Sequence, residues 1–186
     1  MTIKFTNPYR PPIKGSLKGK SPGELLGLVK DLYGLSDDNR NFLEARVKPD
    51  PKALKKYKAI ISDAIYPDFC NDRHARIDFV RARKAISDFG KASDDPESLL
   101  ELMIHYIEVG TQQTQDVCID YGGYYTSMES MFGRVVKHLH GKNGNLADKF
   151  LPRLKKIVKN SGNAGYGYED TLTDLLEEAF GEDVLK

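Results

Sequence analysis

Amphipathic segments that open with a capping residue and a proline recur along this chain. Ser21-Pro22-Gly23-Glu24 combines an N-cap hydroxyl, a proline at the first helical position and a glutamate that can close a capping box. Asp50-Pro51 and Asp95-Pro96 open two further segments in a similar way. Apolar residues follow each start at helical spacing, and no alternating strand pattern of useful length occurs. The sequence therefore predicts an all-α protein.

The capped segments predict seven or eight helices, which we expect to form a single domain over residues 21–186. They are expected to pack as an irregular bundle or as a short α-solenoid of stacked helical hairpins. The apolar positions after Pro22 match those after Pro96, and Pro51 provides a third similar start, which favours a repeat. A capping residue followed by proline is also a common way to begin a helix, so both arrangements stay open. Pro152 predicts that the seventh helix becomes regular only near Leu151.

The two ends of the chain differ in charge and in helix-forming character. Residues 1–20 hold five cations, no acidic residue and several prolines and glycines, so they predict a basic arm that is extended or mobile. In the last helix and tail, seven acidic residues are answered by one lysine, so the two ends are expected to attract each other, within or between chains. The cations are Lys4, Arg10, Lys14, Lys18 and Lys20, and the acidic residues are Glu169, Asp170, Asp174, Glu177, Glu178, Glu182 and Asp183.

The overall composition excludes several classes of protein. A net charge of +1 gives no general attraction to nucleic acid or to an anionic membrane. Cys70 and Cys118 lie far apart, so they predict neither a disulfide framework nor a zinc module, and we expect both to be small core residues. No apolar run approaches the ~20 residues that cross a bilayer, and the N-terminus lacks the apolar core of a signal peptide. We therefore expect a cytoplasmic protein without membrane association.

Four short segments carry a resemblance to a known family. They read KAISDF over residues 84–89, DPESL over 95–99, SMESMF over 127–132 and GYGYEDTL over 165–172. Together they resemble an uncharacterised bacterial family of small helical proteins, catalogued as a domain of unknown function. The resemblance spans about residues 21–180, and the basic arm departs from it. It implies an all-helical bacterial protein and carries over no catalytic or ligand residue, because none is assigned in the family.

Aromatic residues and methionines concentrate between residues 121 and 132. Tyrosine and methionine suit adaptable recognition surfaces, so a groove that binds a protein or peptide partner is one interpretation of this segment. Packing of the same residues in the core is the other, and the helical spacing favours it. The predicted partner-binding residues are Tyr121, Tyr124, Tyr125, Met128 and Phe132.

The densest run of basic residues lies on the fourth predicted helix and just before it. The run predicts an anion-binding surface, for which nucleic acid is the corresponding partner. Three aspartates interrupt it and no recognition-helix motif accompanies it, so a salt-bridged helix face is the competing interpretation. The predicted anion-binding residues are Arg73, Arg76, Arg81, Arg83 and Lys84.

An enzyme would need histidines and carboxylates from different segments to share one pocket, such as His105, or His138 with His140, beside Asp120 or Glu129. The last two histidines are two residues apart and diverge on a helix, so they predict no metal site. The glycines before the last helix lack phosphate-binding spacing. We therefore predict no metal, no cofactor and no catalytic residue. The expected function is that of a non-catalytic interaction or scaffold protein, which could also form homo-oligomers.

Overall fold

The computed structural model describes residues 13–47, 51–69, 71, 74–162 and 164–185. These residues form α-helices joined by turns and contain no strand, so the all-α prediction is confirmed. Residue contacts divide the chain into two units, with the boundary between Leu43 and Glu44. The helices are α1 (Ile13–Lys18), α2 (Pro22–Leu35), α3 (Asp37–Val47), α4 (Pro51–Ile65), α5 (Phe79–Ala92), α6 (Pro96–Asp116), α7 (Gly122–His140), α8 (Ala147–Asn160) and α9 (Tyr168–Phe180), with a 3₁₀ turn over Gly144–Leu146.

The predicted helix caps of the first unit form as expected. The Glu24 N–H donates to Ser21 Oγ at 3.3 Å, and the Ser21 N–H donates to the Glu24 carboxylate at 2.7 Å. These hydrogen bonds favour the charged carboxylate, so they lower the pKa of Glu24. Ser36 caps α3 by accepting from the Asn39 N–H at 3.2 Å. The helix starts predicted at Ser21 and Ser36 are therefore confirmed.

The apolar row of α2 is exposed to solvent. Its sequence pattern predicts that the row faces a core, yet α2 has no buried residue. No side chain among residues 13–43 is fully buried. Among the described residues, fully buried side chains occur only in the second unit, which begins at Glu44. The sequence, in contrast, predicted one domain that starts at residue 21. The row contains Leu25, Leu26, Leu28, Val29, Leu32 and Tyr33.

Two helices form where the sequence predicts irregular backbone. Residues 1–12 of the predicted arm lie outside the described residues, but Ile13–Lys18 form α1 and not an extended segment. No proline lies within α1, so each of its residues keeps a backbone donor. α8 begins at Ala147, earlier than expected, and contains Pro152. Pro152 lies in the second turn of α8, where its missing N–H leaves a single carbonyl near the helix start without its helical donor.

The second unit is a stack of three helical hairpins, in which α4 pairs with α5, α6 with α7, and α8 with α9. The helices α4, α6 and α8 form one layer, and α7 lies beside α9 in the other. α5 joins this second layer, because the Phe79 ring lies 5.5 Å from the Tyr124 ring of α7. The main contacts run between neighbouring hairpins, which is the arrangement of an α-solenoid. Pro51 and Pro96 therefore begin equivalent helices, whereas Pro22 lies outside the stack.

The middle hairpin is the most deeply buried part of the second unit, because the outer hairpins cover it from both sides. α6 and α7 approach closely at Gly110, where a Cβ atom would overlap the side chain of Met128. Nearby, the Tyr106 hydroxyl and Ser127 Oγ lie 2.6 Å apart, and Arg83 donates to Ser127 at 3.0 Å. These bonds join α5, α6 and α7. Six apolar residues of α6 are fully buried: Leu100, Leu102, Met103, Ile104, Tyr106 and Ile107.

The loops within the three hairpins lie at one edge of the stack. They comprise the described residues of 66–78, 117–121 and 161–167, while the connections between hairpins lie at the opposite edge. Two hydrogen bonds connect neighbouring hairpins at this edge: Tyr66 donates to Asp116 at the end of α6 at 3.2 Å, and Tyr166 donates to Asp120 of the α6–α7 loop at 2.5 Å. No helix in the described part of the chain combines the length and the apolar character needed to cross a membrane.

Candidate functional site

Six of the ten tyrosines of the chain lie at the edge formed by the hairpin loops, which we call the tyrosine edge. Tyr66 follows the last residue of α4, Tyr121 immediately precedes α7, and Tyr168 is the first residue of α9. Because each hairpin is antiparallel, the ends of α4, α6 and α8 meet the starts of α5, α7 and α9 here. The six residues are Tyr66, Tyr121, Tyr124, Tyr125, Tyr166 and Tyr168.

The inner tyrosines of this edge are structural. The Tyr124 hydroxyl donates to the Gly110 carbonyl oxygen at 2.7 Å, and the Tyr168 hydroxyl lies 2.9 Å from Thr111 Oγ1. Burial raises the pKa of both tyrosines well above the ordinary value, so both stay protonated and act as neutral hydrogen-bonding groups. They bind the starts of α7 and α9 to the end of α6. The tyrosine edge therefore rests on a rigid base.

The outer surface of the tyrosine edge carries several exposed apolar side chains. Six large apolar side chains of the described residues 44–185 are exposed, and four of them belong to the hairpin loops. Tyr121 is 63% exposed and Tyr166 is 56% exposed, and Val117 and Phe69 are exposed as well. A concentration of exposed aromatic and aliphatic groups on loops is typical of an interaction surface.

Tyr166 has the most unusual backbone at this edge. It is the only residue other than glycine with a positive φ (62°) in the described part of the chain, and Gly167 follows with a φ of 66°. Its ring stacks on the Tyr125 ring with centroids 5.1 Å apart. Its hydroxyl donates to Asp120, which raises the pKa of Tyr166. A left-handed tyrosine is strained, and such strain concentrates at functional sites. The strained backbone presents the ring beside the α6–α7 loop.

The two later hairpin loops are electrostatically negative. Residues 109–133 and 160–185 contain no lysine and no arginine, while Asp116 and Asp120 lie at the tyrosine edge itself. Behind them on α7, partial burial raises the pKa of Glu129. An aromatic surface bordered by carboxylates attracts cationic groups through charge and through the faces of the rings.

Four of the five predicted partner-binding residues are part of the core. Tyr124, Tyr125, Met128 and Phe132 are buried, so the prediction that they form a surface is wrong, and Tyr121 alone is exposed. The reason is that α7 lies between α6 and α9, which cover it from two sides. The sequence reasoning missed Tyr166. Its signal was a tyrosine between two glycines, in a segment that the sequence reasoning used for the family resemblance and rejected as a phosphate-binding loop.

The predicted anion-binding residues are mostly occupied by contacts within the chain. Arg81 lies 3.9 Å from the Asp63 carboxylate, and Lys84 lies 3.1 Å from that of Asp88. Arg83 donates to the Ser127 hydroxyl and lies over the Phe79 ring, and Arg76 donates to the neighbouring backbone at Ala75. This arrangement corresponds to the competing interpretation, a paired helix face. Arg73 lies outside the described residues.

The histidines are dispersed over the second unit. His105 Nε2 lies 2.9 Å from Ser62 Oγ, between α4 and α6. Burial, followed by the charge of Lys58, lowers the pKa of His105. His138 lies within 3.4 Å of the Asn143 side chain, and the His140 ring packs edge-on against Phe180. Among the described residues, no hydrogen bond joins these histidines to Asp120 or Glu129.

The cysteines and the possible metal ligands form no catalytic or metal-binding group within the described residues. Cys118 is exposed in the α6–α7 loop, so the expectation that it packs in the core is wrong, and Cys70 lies outside the described residues. No group of three or more histidine, cysteine, aspartate or glutamate side chains in the described part of the chain is arranged to hold a metal ion. The tyrosine edge is therefore the candidate functional site.

No protein-family model, no curated protein and no solved structure matches this chain. The family resemblance of the four segments at residues 84–172 therefore stays a prediction.

Proposed function

We propose that this protein is a non-catalytic interaction protein that binds a protein or peptide partner at the tyrosine edge. The observation that carries the proposal is the exposure of Val117, Tyr121 and Tyr166 on loops fixed by buried tyrosines. Loops on a rigid scaffold are common binding sites, and a surface that is already ordered loses little conformational entropy on binding. Tyrosine adds large contact area with few rotatable bonds.

The partner of this surface is expected to carry lysine or arginine next to an apolar or aromatic residue. The cationic groups would lie over the exposed rings and beside Asp116 and Asp120, while the apolar residue would contact Val117. Since these charges lie at the rim, they are expected to influence the association rate and the choice of partner more than the affinity.

Selection from a random peptide library on the purified full-length chain tests the proposal. We expect enriched peptides that combine basic and aromatic residues and whose binding weakens in salt. The double variant Tyr121→Ser/Tyr166→Asn removes both rings, and asparagine tolerates the left-handed backbone at residue 166. The matched control is Val80→Ser, which removes an exposed apolar side chain on α5. Circular dichroism verifies that each variant is folded.

The proposal requires that the control binds the selected peptides as the native chain does and that the double variant does not. Equal binding by the double variant, or the absence of any enriched peptide, would refute it. The nucleic-acid alternative has its own test in a gel-shift assay, where changing Arg76, Arg81 and Arg83 to alanine should weaken retention at low salt.

A further inference from the structure

We propose that the outer face of the last hairpin, α8 and α9, binds the same face of a second copy of this chain. This inference is independent of the tyrosine edge. It rests on two rows of opposite charge on the two antiparallel helices of this hairpin, a basic row on α8 and an acidic row on α9. Each row has no ion-pair partner among the described residues.

The basic row lies on α8. Lys149 and Arg153 on the flank of this helix form ion pairs with Glu97, Glu101 and Glu108 of α6. Lys155, Lys156 and Lys159 form no ion pair with any described residue. Together with Val158 and Leu185 they line a shallow pocket of about 370 Å³. The stack therefore neutralises Lys149 and Arg153 on one flank of α8 and leaves the other three lysines of this helix without an ion pair in the described part of the chain.

The acidic row lies on α9. Asp170, Asp174 and Glu178 are exposed and recur at four-residue spacing, so they project from one side of the helix. The buried residues Tyr168, Leu172 and Leu176 project from the opposite side. These three carboxylates also form no ion pair among the described residues. Residues 168–180 contain no cation, so nothing on α9 itself offsets this row.

The two rows match in height along the stack. α8 ends at Asn160 and α9 begins at Tyr168 at the same edge, and the helices run in opposite directions. Lys159 and Asp170 therefore lie within the first turn from that edge, and Lys155 and Asp174 lie about one turn further. A two-fold axis parallel to the helices places α8 of each copy against α9 of the other at equal height. Such a dimer pairs the basic and acidic rows twice.

This symmetry explains why a second copy fits better than an unrelated acidic or basic protein. An acidic partner would satisfy α8 and leave α9 unpaired, and a basic partner would do the reverse. A second copy satisfies both rows at once. The face is small and polar, so the dimer is expected to be weak and to dissociate in salt.

Charge reversal provides the test, with sedimentation velocity of the full-length chain from about 1 µM to about 500 µM, a range suited to a weak dimer. The α8 variant is Lys155→Glu/Lys159→Glu, and the α9 variant is Asp170→Lys/Asp174→Lys. Each variant alone faces like charges across the two-fold axis and should raise the dissociation constant about tenfold or more. Raising NaCl from about 0.05 M to about 0.5 M should dissociate the native dimer as well.

Mixing the two variants should restore association, because each then meets the opposite charge in both contacts. A chain with all four changes should dimerise by itself for the same reason. The matched control is Arg134→Glu/Lys137→Glu, which reverses two exposed cations on α7 and should leave the dimer intact. A chain that stays monomeric at every concentration overturns the proposal. Association that the reversals do not change, or that the control abolishes equally, overturns it too.

Discussion

Replacing Gly110 with alanine tests whether the close packing of α6 on α7 supports the tyrosine edge. Alanine favours a helix over glycine by about 1 kcal/mol. Against this gain, the new Cβ atom would overlap the side chain of Met128, and overpacking a core costs about 1–3 kcal/mol. Because the overlap falls on the middle of the methionine side chain, we expect a cost in the upper part of this range, about 2–3 kcal/mol, and therefore a net loss of about 1–2 kcal/mol in the free energy of unfolding. This loss corresponds to about 2–8 °C in Tm for a unit of this size.

Gly133 provides the matched control for this substitution. A Cβ atom at Gly133 would lie 3.7 Å from Leu175 Cδ2, which is an ordinary contact. Gly133→Ala should therefore raise the free energy of unfolding by about 0.5–1 kcal/mol through helix propensity alone. Urea unfolding of both variants measures the difference, provided that the slope of the transition stays unchanged. Opposite signs for two Gly→Ala changes in neighbouring helices are the expected result.

A double-mutant cycle identifies the cause of the loss at Gly110. Met128→Ala alone should cost about 2–5 kcal/mol, because it opens a cavity between α6 and α7. In the Met128→Ala background, Gly110→Ala should become neutral or stabilising, with a coupling energy of about 1–3 kcal/mol. The reasoning is refuted if Gly110→Ala stabilises the native chain as Gly133→Ala does, or if the cycle shows no coupling. The Tyr124 hydroxyl bonds to the Gly110 carbonyl oxygen, so loss of peptide binding in Gly110→Ala would also link this packing to the tyrosine edge.

Two further predictions concern buried polar groups. Ser127→Ala removes the hydrogen-bond partner of the buried Tyr106 hydroxyl, so it should lower the free energy of unfolding by about 1–3 kcal/mol, as measured by thermal or urea unfolding. Tyr106→Phe should cost less, because Ser127 keeps the hydrogen bond that Arg83 donates. Equal losses in the two variants would contradict this assignment. The folded chain lowers the pKa of His105 below its ordinary value of 6.5, so the unfolded chain binds the proton more tightly. The free energy of unfolding should therefore decrease as the pH falls below about 6.5. His105→Gln should flatten this part of the stability curve, and an unchanged slope between about pH 7 and pH 5 would show that His105 is not responsible.

Local capping chemistry is the part of this fold that could be predicted from the sequence. Ser21, Ser36 and Asp95 each place a side-chain oxygen at a helix start, and each accepts a backbone N–H there. Such caps depend only on residues two or three positions apart, so nothing in the rest of the chain has to be known. The all-α class follows from these starts and from the apolar spacing. The choice between bundle and stacked hairpins required long-range contacts.

Burial could not be predicted in the same way, as α2 and α7 demonstrate. Both helices carry a broad apolar face at helical spacing, and for α7 the sequence left core packing and an exposed groove open. In the structure α7 is buried, because it has neighbours in α6 and α9, while the residues of α2 are exposed. The apolar periodicity of a helix indicates which of its sides can be buried. Whether that side is buried depends on how many other helices the fold packs against it, which the local sequence does not specify.

Tyr166 illustrates why the candidate site was harder to find than the fold. Its backbone φ of 62° cannot be inferred from a tyrosine, because side chains with a Cβ atom rarely adopt that region. The flanking Gly165 and Gly167 indicate a tight loop but do not say which residue of the loop is strained. The strain is maintained by contacts from a distant segment, namely the stacking on Tyr125 and the hydrogen bond to Asp120. Stability alone would favour glycine or asparagine at this position, since either adopts a left-handed backbone more readily. The proposed contact between the exposed ring and a partner would give a reason for a tyrosine at this position.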